Sequence, residues 1–484
     1  MTLSSALSNA LSGMTAAARS TDVISSNIAN ANTEGYRLRE LEVTSRFDGS
    51  GGGVRVIGVT RHIDLAVQND RRAADAELQD IGTQASFLAG VQSQIGLPSE
   101  EGSLSDRLAN LDAALTGAIG RPESDSRLAS VVDALHSVTE HLATISDHVQ
   151  TERSRADKAI SKDIDILNDR LAKVEDLNGK IRRLTASGED VSSLLDQRQD
   201  LVDQIAEIVP VQELDRGFNM IALMTPQGGL LIDGSAVELN FTPASGVTAQ
   251  LNVGAGTLSG IDMNGFPVNL DREPHILSGG RLGANLMVRD TIGPEAQAKL
   301  DAFARDLIER FADPTVDPTL GATDAGLFTD DGNAFDPVNE LGLASRIAVN
   351  DTVDPENGGD YWYLRDGLLA AAQGPIGDAT GLIALRDALN ADRVPVSGGF
   401  SGAARSGPEL AADMLSEFGS ALQSLEASQA FAEVQRNALS QIELQSGVDT
   451  DQEMQKLLLI EQAYAANARV IQTVDALFEA LLRI

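Results

Sequence analysis

The sequence predicts a mainly α protein with a β insertion: terminal helices forming a coiled coil, a helical-bundle domain and a small antiparallel β domain. Three observations predict it. Apolar residues recur at helical spacing at both chain ends, long charged amphipathic helices occupy the middle, and one central stretch changes to short strand-like runs. Aromatic residues make up only 4% of the chain while Ala, Leu, Ser and Gly abound, which suits close helix packing better than an aromatic-lined ligand pocket.

At the N-terminus Leu3, Leu7, Ala10, Met14, Ala17, Thr21, Ile24 and Ile28 alternate spacings of four and three, so they fall on one helical seam. At the C-terminus Leu457, Ile460, Tyr464, Asn467, Ile471, Val474, Phe478 and Leu481 do the same, and Ala463, Val470, Leu477 and Ile484 widen the stripe. The N-terminal seam is thin in large residues. At about 25 cal/mol per Å² of apolar surface, Ala10, Ala17 and Thr21 bury little, so these helices want neighbours from other copies. Without neighbours they are expected to be largely disordered. Asn467 on the seam is either a buried, register-fixing amide or a residue at a wet edge. Where the first helix stops, Asn30, Asn32, Thr33, Gly35 and Tyr36 read as a helix end and turn: the Asn side chains can bond nearby backbone, Gly35 can take positive φ and Tyr36 can pack to anchor the exit.

Between the ends, a charged helix is expected from about 151 to 186, closed by Gly188, and a second over VSSLLDQRQDLVDQIAEIV returns to form a helical hairpin that Pro210 ends. From 211 to 270, FNMIALM, GLLIDGSAVELNF, GVTAQLNV and LSGIDMNGFPVNL read as strands of an antiparallel domain. Helical pattern resumes in EAQAKLDAFARDLIERFA, residues 313–359 read as irregular chain, and short helices near Ile383 and Leu389 precede a Gly/Ser linker, VPVSGGFSGAARSGP, and a long helix from about 409 to 445. The expected division is residues 1–45 and 447–484 as a terminal coiled-coil domain, 46–210 and 271–446 as a mainly helical domain with irregular loops, and 211–270 as the inserted β domain.

The 484 residues exceed one ordinary core. With 37 Lys and Arg against 71 Asp and Glu the net charge is −34, so nucleic acid and anionic membrane are poor partners. There is no cysteine, which removes disulfides and thiolate chemistry together. The opening residues do not read as a secretory signal peptide, and no run reaches membrane-spanning length.

Catalytic and metal readings are weak, and neither an enzyme nor a cofactor is expected. HSVTEH places His136 and His141 five apart, off a common helical face, and His148 lies two turns beyond His141, too far for one metal. Asp324, Asp330, Asp331 and Asp336 make an acidic loop without the ligand spacing of a calcium site. GGFSGAARSG lacks a nucleophile-elbow register and Gly51 to Gly53 open no phosphate-binding signature; both read as flexible linkers.

SNIANANTEGY, residues 26 to 36, closely resembles the signature shared by flagellar rod, hook and hook-associated axial proteins, and SGVDTDQEMQKLLLIEQAYAANARVIQTVDALFEALL resembles the matching C-terminal end, notably Glu453, Met454, Gln462, Ala463, Tyr464, Asn467, Ala468, Val470, Ile471 and Asp475. Within that group LLDQRQDLVDQIAEIV, GLASRIAVN and YWYLRDG resemble the family of the first hook-associated protein, found at the hook-filament junction. The resemblance covers the two ends and the hairpin, with patches between, and the compact β insertion departs most. It implies a structural subunit that self-assembles into a tubular layer through paired terminal helices and couples hook to filament. It also implies partners in the hook protein, the next hook-associated protein and an export chaperone at the C-terminal region. The location implied is extracellular, at the distal end of the hook, reached by the flagellar type III system without a cleaved signal peptide. The alternatives are another axial protein of hook or rod type, a non-flagellar adhesion or binding protein using the β domain, and a hydrolase.

Overall fold

The computed structural model describes residues 3–33, 36–46, 52–270, 272–445 and 447–482. The chain opens with helix α1 (Leu3–Asn30), in which Arg19 and Asp22 are the only charged residues. A hairpin of β1 (Arg39–Ser45) and β2 (Val54–Arg61) follows, pairing Arg39 with Arg61 and Ser45 with Val54. It was not expected from the sequence, although one face does alternate through Leu41, Val43, Val54 and Val56. Helix α2 (Leu65–Ile95) starts where the Asp64 carboxylate accepts the amides of Ala66 and Val67, and α3 (Leu104–Ile119) starts on the Ser103 hydroxyl.

The charged helix is longer than the sequence reading had it. α4 (Asp125–Ser187) runs 63 residues, about 95 Å at 1.5 Å each, because Leu128, Val131, Leu135, Val138, Leu142, Ile145 and Val149 continue the same buried face upstream of 151. Gly188 ends it at φ 77° in the left-handed region, donating to the carbonyls of Leu184 and Thr185. α5 (Ser192–Ile208) returns along it to complete the hairpin.

The insertion holds β3 (Gln212–Asp215), β4 (Ile221–Met224), β5 (Leu230–Asp233) and β6 (Ser235–Ala236) as one antiparallel meander, and β7 (Leu239–Asn240), β8 (Asp262–Met263) and β9 (Phe266–Pro267) as a second. GVTAQLNV, expected as a strand, is turn and irregular chain. Its backbone is committed to α4 side chains instead of a ladder: the Val247 amide donates to the Ser154 hydroxyl, and the Thr248 and Leu251 carbonyls accept from the Arg153 guanidinium.

Beyond the insertion come α6 (Gly280–Met287), a π turn over Val288–Ile292, α7 (Gly293–Phe311), the small pair β10 (Phe328–Asp330) and β11 (Ile347–Val349), α8 (Tyr363–Asp366), α9 (Thr380–Asn390), α10 (Gly407–Gln445) and α11 (Thr450–Leu482). The passage 313–359 carries little regular structure but is held down by buried carboxylates. Asp301 of α7 accepts the amides of Gly342 at 2.7 Å and Ala344 at 2.9 Å, with Gln297 Nε2 donating at 2.9 Å, and Asp317 accepts from Leu368 at 2.8 Å. The expected linker VPVSGGFSGAARSGP, residues 394–408, is likewise tied down: Arg393, just before it, and Arg405 exchange backbone hydrogen bonds, and Arg310 donates to the carbonyls of Ala391 and Arg405. Gly53, in the other expected linker, sits against Ser12, whose hydroxyl accepts from the Val54 amide.

Two cores share α4. One gathers α2, α3, the first half of α4, α7, α9 and the start of α10; the other gathers the second half of α4, α5, the β3–β6 sheet and α6. They part at a polar break where buried Arg153 donates to the Arg289 carbonyl and Arg289 pairs with Asp157 at 2.8 Å. Neither core includes α1 or α11, which form an antiparallel pair of their own.

Candidate assembly interface

α11 starts at Asp449, whose carboxylate accepts the amides of Asp451 and Gln452, and its axis runs back along α1. The structure brings one part of the expected seam together. Ala10, Ala17, Ile24 and Val474 are buried, and Leu3, Met14, Thr21, Ile28, Leu457, Ile460, Asn467 and Ile471 are half-buried. Leu7, Tyr464, Phe478 and Leu481 are exposed, so they do not close the pair within one chain. A neighbouring face of α11, Leu459, Ala463, Ala466, Val470, Thr473 and Leu477, repeats the four-three spacing and faces solvent throughout.

Asn467 is half-buried and donates to the Ala463 carbonyl of its own helix at 3.0 Å, the wet-edge outcome of the two left open. It lies over Gly13, where a Cβ would come within 2.8 Å of the Asn467 amide nitrogen, so the bare backbone at Gly13 gives the amide room.

The polar residue that fixes this pair is one the sequence reading passed over. Asn27 is fully buried, and its Nδ2 donates to Glu453 Oε2 at 2.7 Å and to the Arg39 carbonyl at 2.8 Å. Its Oδ1 accepts from the Tyr36 hydroxyl at 2.9 Å and from the Arg39 amide at 3.2 Å. Glu453 is itself 2% exposed and takes Lys456 Nζ at 2.9 Å on its other oxygen. One amide thus ties α1, the exit turn, β1 and α11. Moving two heptads along both helices from Asn27 and Glu453 leads to Gly13 and Asn467, so one register runs the length of the pair. The available signal was an amide at the end of one apolar seam and a carboxylate at the start of the other.

The signature turn behaves as a local cap. Asn30 Nδ2 donates to the Ser26 carbonyl, the Thr33 amide to the Asn30 carbonyl, and the Tyr36 amide to the Thr33 carbonyl. Asn32 is exposed, and Gly35 lies outside the described residues. The Tyr36 hydroxyl donates to Asn27 Oδ1 and its ring packs at the exit. The Arg39 guanidinium sits 4.5 Å from its ring centroid, and burial lifts its phenol above the ordinary range against the opposing pull of Arg39.

Below this latch an ionic cluster joins the terminal pair to the body. Arg37 of the exit segment and Arg71 of α2 both bind Glu443 at the end of α10. Arg71 also reaches Asp75 at 2.6 Å and Asp203 at 2.9 Å, and buried Arg72 reaches Asp203 at 2.6 Å. Arg39 and Arg61 share Asp196 of α5 at 2.6 Å each, and burial pulls nearby Arg198 down to about 10. α10 lies antiparallel on α2 above the cluster, Arg436 meeting Asp75 at 3.0 Å, Gln429 facing Gly82 and Gln92 facing Gly419. Two helix pairs therefore stand end to end, pinned where they meet.

Among the described residues no cluster of His, Asp or Glu could hold a metal ion, and no helix is long and apolar enough to cross a membrane. His136 binds Asp354 at 3.1 Å, burial draws His141 below its usual range, and His148 turns toward Gly90. In the acidic loop Asp330 pairs with Arg346, while Asp324 and Asp336 accept the amides of Gly321 and Val338.

Residues 92–314 match the family model described as flagellar hook-associated protein FlgK helical domain, residues 7–37 that of the flagella basal body rod protein, and residues 442–484 that of the flagellar basal body rod FlgEFG protein C-terminal region. The flagellar hook-associated protein 1 of Escherichia coli strain K12 is 26% identical over 100% of both chains, and that of Bacillus subtilis strain 168 is 21% identical over 98% of this chain and 96% of its own. A solved flagellar hook junction protein FlgK from Burkholderia pseudomallei is 18% identical, with a TM-score of 0.44 over 54% of this chain and 46% of its own. The matches to the two ends coincide with α1 and its turn and with α11, and the helical-domain match spans α3 to α7. Over its whole length the chain is similar to the flagellar hook-associated protein 1 family.

Proposed function

We infer that the chain is a structural subunit of the bacterial flagellum that forms the hook-filament junction. The observation that carries the mechanism is the α1–α11 pair: a register-locked unit whose outer α11 face stays apolar and uncovered in one chain. Copies assemble into a tubular layer by covering that face, so the expected seam residues divide into those that build the pair and those, such as Tyr464, Phe478 and Leu481, that meet neighbours. Cores that exclude the terminal pair let the layer couple hook to filament through the pinned joint at Arg37, Arg71 and Glu443.

The finer reading follows the same assembly. The hook protein lies on one side of the layer and the next hook-associated protein on the other. An export chaperone covers the C-terminal helix before assembly, subunits travel by the flagellar type III route without a cleaved signal peptide, and the chain carries no catalytic activity. Gold-labelled antibody on isolated flagella should mark the hook-filament boundary; label along the whole hook would make the chain a hook protein instead.

A further inference from the structure

α10 buries one face and leaves the other bare. Phe418, Leu422 and Ala432 are buried, while Arg436 and Glu443 turn inward to α2. Opposite them Ala427, Phe431, Val434, Ala438 and Ile442 follow one another at four, three, four and four residues, a single stripe. All five are exposed, Phe431 by 70% and Val434 by 69%. Singly exposed apolar residues need no explanation, but an aligned stripe of five does.

We propose that this outer face of α10 is a lateral contact with a second copy of the chain, an inference that rests on the junction reading above. Charge identifies the occupant. Copies carrying −34 each repel one another, so a layer of them can close only where the facing surfaces are poor in charge. From Ala427 to Gln445 the charged residues are Glu433, Arg436 and Glu443, and the last two are spent on α2. The stripe is bordered by Ala430, Gln435, Asn437 and Gln441, which are neutral. The same economy of charge marks α1. The α2–α10 pair meets the α1–α11 pair at the Arg37, Arg71 and Glu443 joint, so a copy that covers the exposed face of α11 is brought close to this stripe as well.

The chain has no cysteine, so Val434→Cys introduces a single thiol. Maleimide labelling of this variant should be fast on free protein and fall about tenfold in isolated flagella, as expected for a residue in the dry centre of a contact. Glu189→Cys at the tip of the α4–α5 hairpin should label equally in both. Val470→Cys on α11 separates the two readings. If Val470→Cys is protected in flagella and Val434→Cys labels like Glu189→Cys, the α10 contact is overturned and the terminal assembly stands. If both label freely, assembly through the terminal helices fails and this inference with it. A Phe431→Ser, Val434→Ser double variant should melt with the parent chain, because both side chains are exposed, and incorporate less into the junction; full incorporation would also overturn the contact.

Discussion

Asn27 uses both donors and its acceptor oxygen inside the protein, on α11, β1 and the exit turn. Replacing it with Ala leaves the Glu453 carboxylate buried with one donor fewer, which costs about 1–3 kcal/mol. Asn27→Ala should therefore speed amide exchange at the start of α11 by the corresponding factor without changing exchange in α4. Asp301 makes a different prediction. Burial pushes its carboxyl up to about 6 from 3.8, against the opposing amides of Ala344 and Gly342. The folded form thus holds the proton more tightly than the unfolded form, and this stabilising contribution is present below about pH 4 and lost as pH rises through about 6. Asp301→Asn should remove that slope and, by losing a second acceptor for the 342–344 loop, lower stability at neutral pH. Thermal unfolding of both proteins from pH 4 to 7 checks this, the wild-type minus variant difference growing toward acid pH and shrinking as pH rises through about 6. Neither residue stood out in the sequence. Asn27 looked like an ordinary residue in a capping segment and Asp301 like one of 71 acidic groups, because what distinguishes them is burial by chain more than forty residues away.

Among the elements, the terminal pair is fastened at one end. The latch at Asn27 and Glu453 sits beside the ionic joint, while Leu7, Leu11, Phe478, Leu481 and Leu482 at the far end are exposed. Local opening follows the number of buried contacts, so hydrogen exchange on free protein should be slowest near residues 24–30 and 453–460 and fastest near 3–8 and 477–482. Uniform protection along α1 would contradict this gradient, and uniformly fast exchange would restore the expectation that both helices are disordered before assembly. The helices were legible because the seam spacing is local information: α1, α5, α7 and α11 all announce themselves by period. The β1–β2 hairpin and the upstream half of α4 were legible in principle, through alternation and a continuing apolar face. GVTAQLNV was not, since it has strand-like residues whose amides and carbonyls are claimed by Ser154 and Arg153 across the fold.

For the whole molecule, the two cores on α4 close without either chain end. Deleting residues 465–484 should leave cooperative unfolding of the body near the parent temperature while abolishing incorporation into flagella, measured by calorimetry and by immunoblot of isolated hooks. Joint loss of both would mean that the body depends on the terminal pair. The acidic surface fits this division of labour. Charge is sparse on α1 and on the outer face of α10, and dense on the body helices, where it keeps copies soluble.

By itself the sequence determined the mainly α class, the seams at both ends, the helical hairpin and the resemblance to flagellar axial proteins, because periodicity and short signatures are written in neighbouring residues. Tertiary structure alone decided which seam residues close on their own chain and which remain open, that Asn27 rather than Asn467 sets the register, and that the Gly/Ser stretch at 394–408 is strapped to Arg310. The reason is physical: a seam states only that a face is apolar, whereas its partner, and whether a polar group on it is satisfied, depend on which distant surface the rest of the fold brings against it.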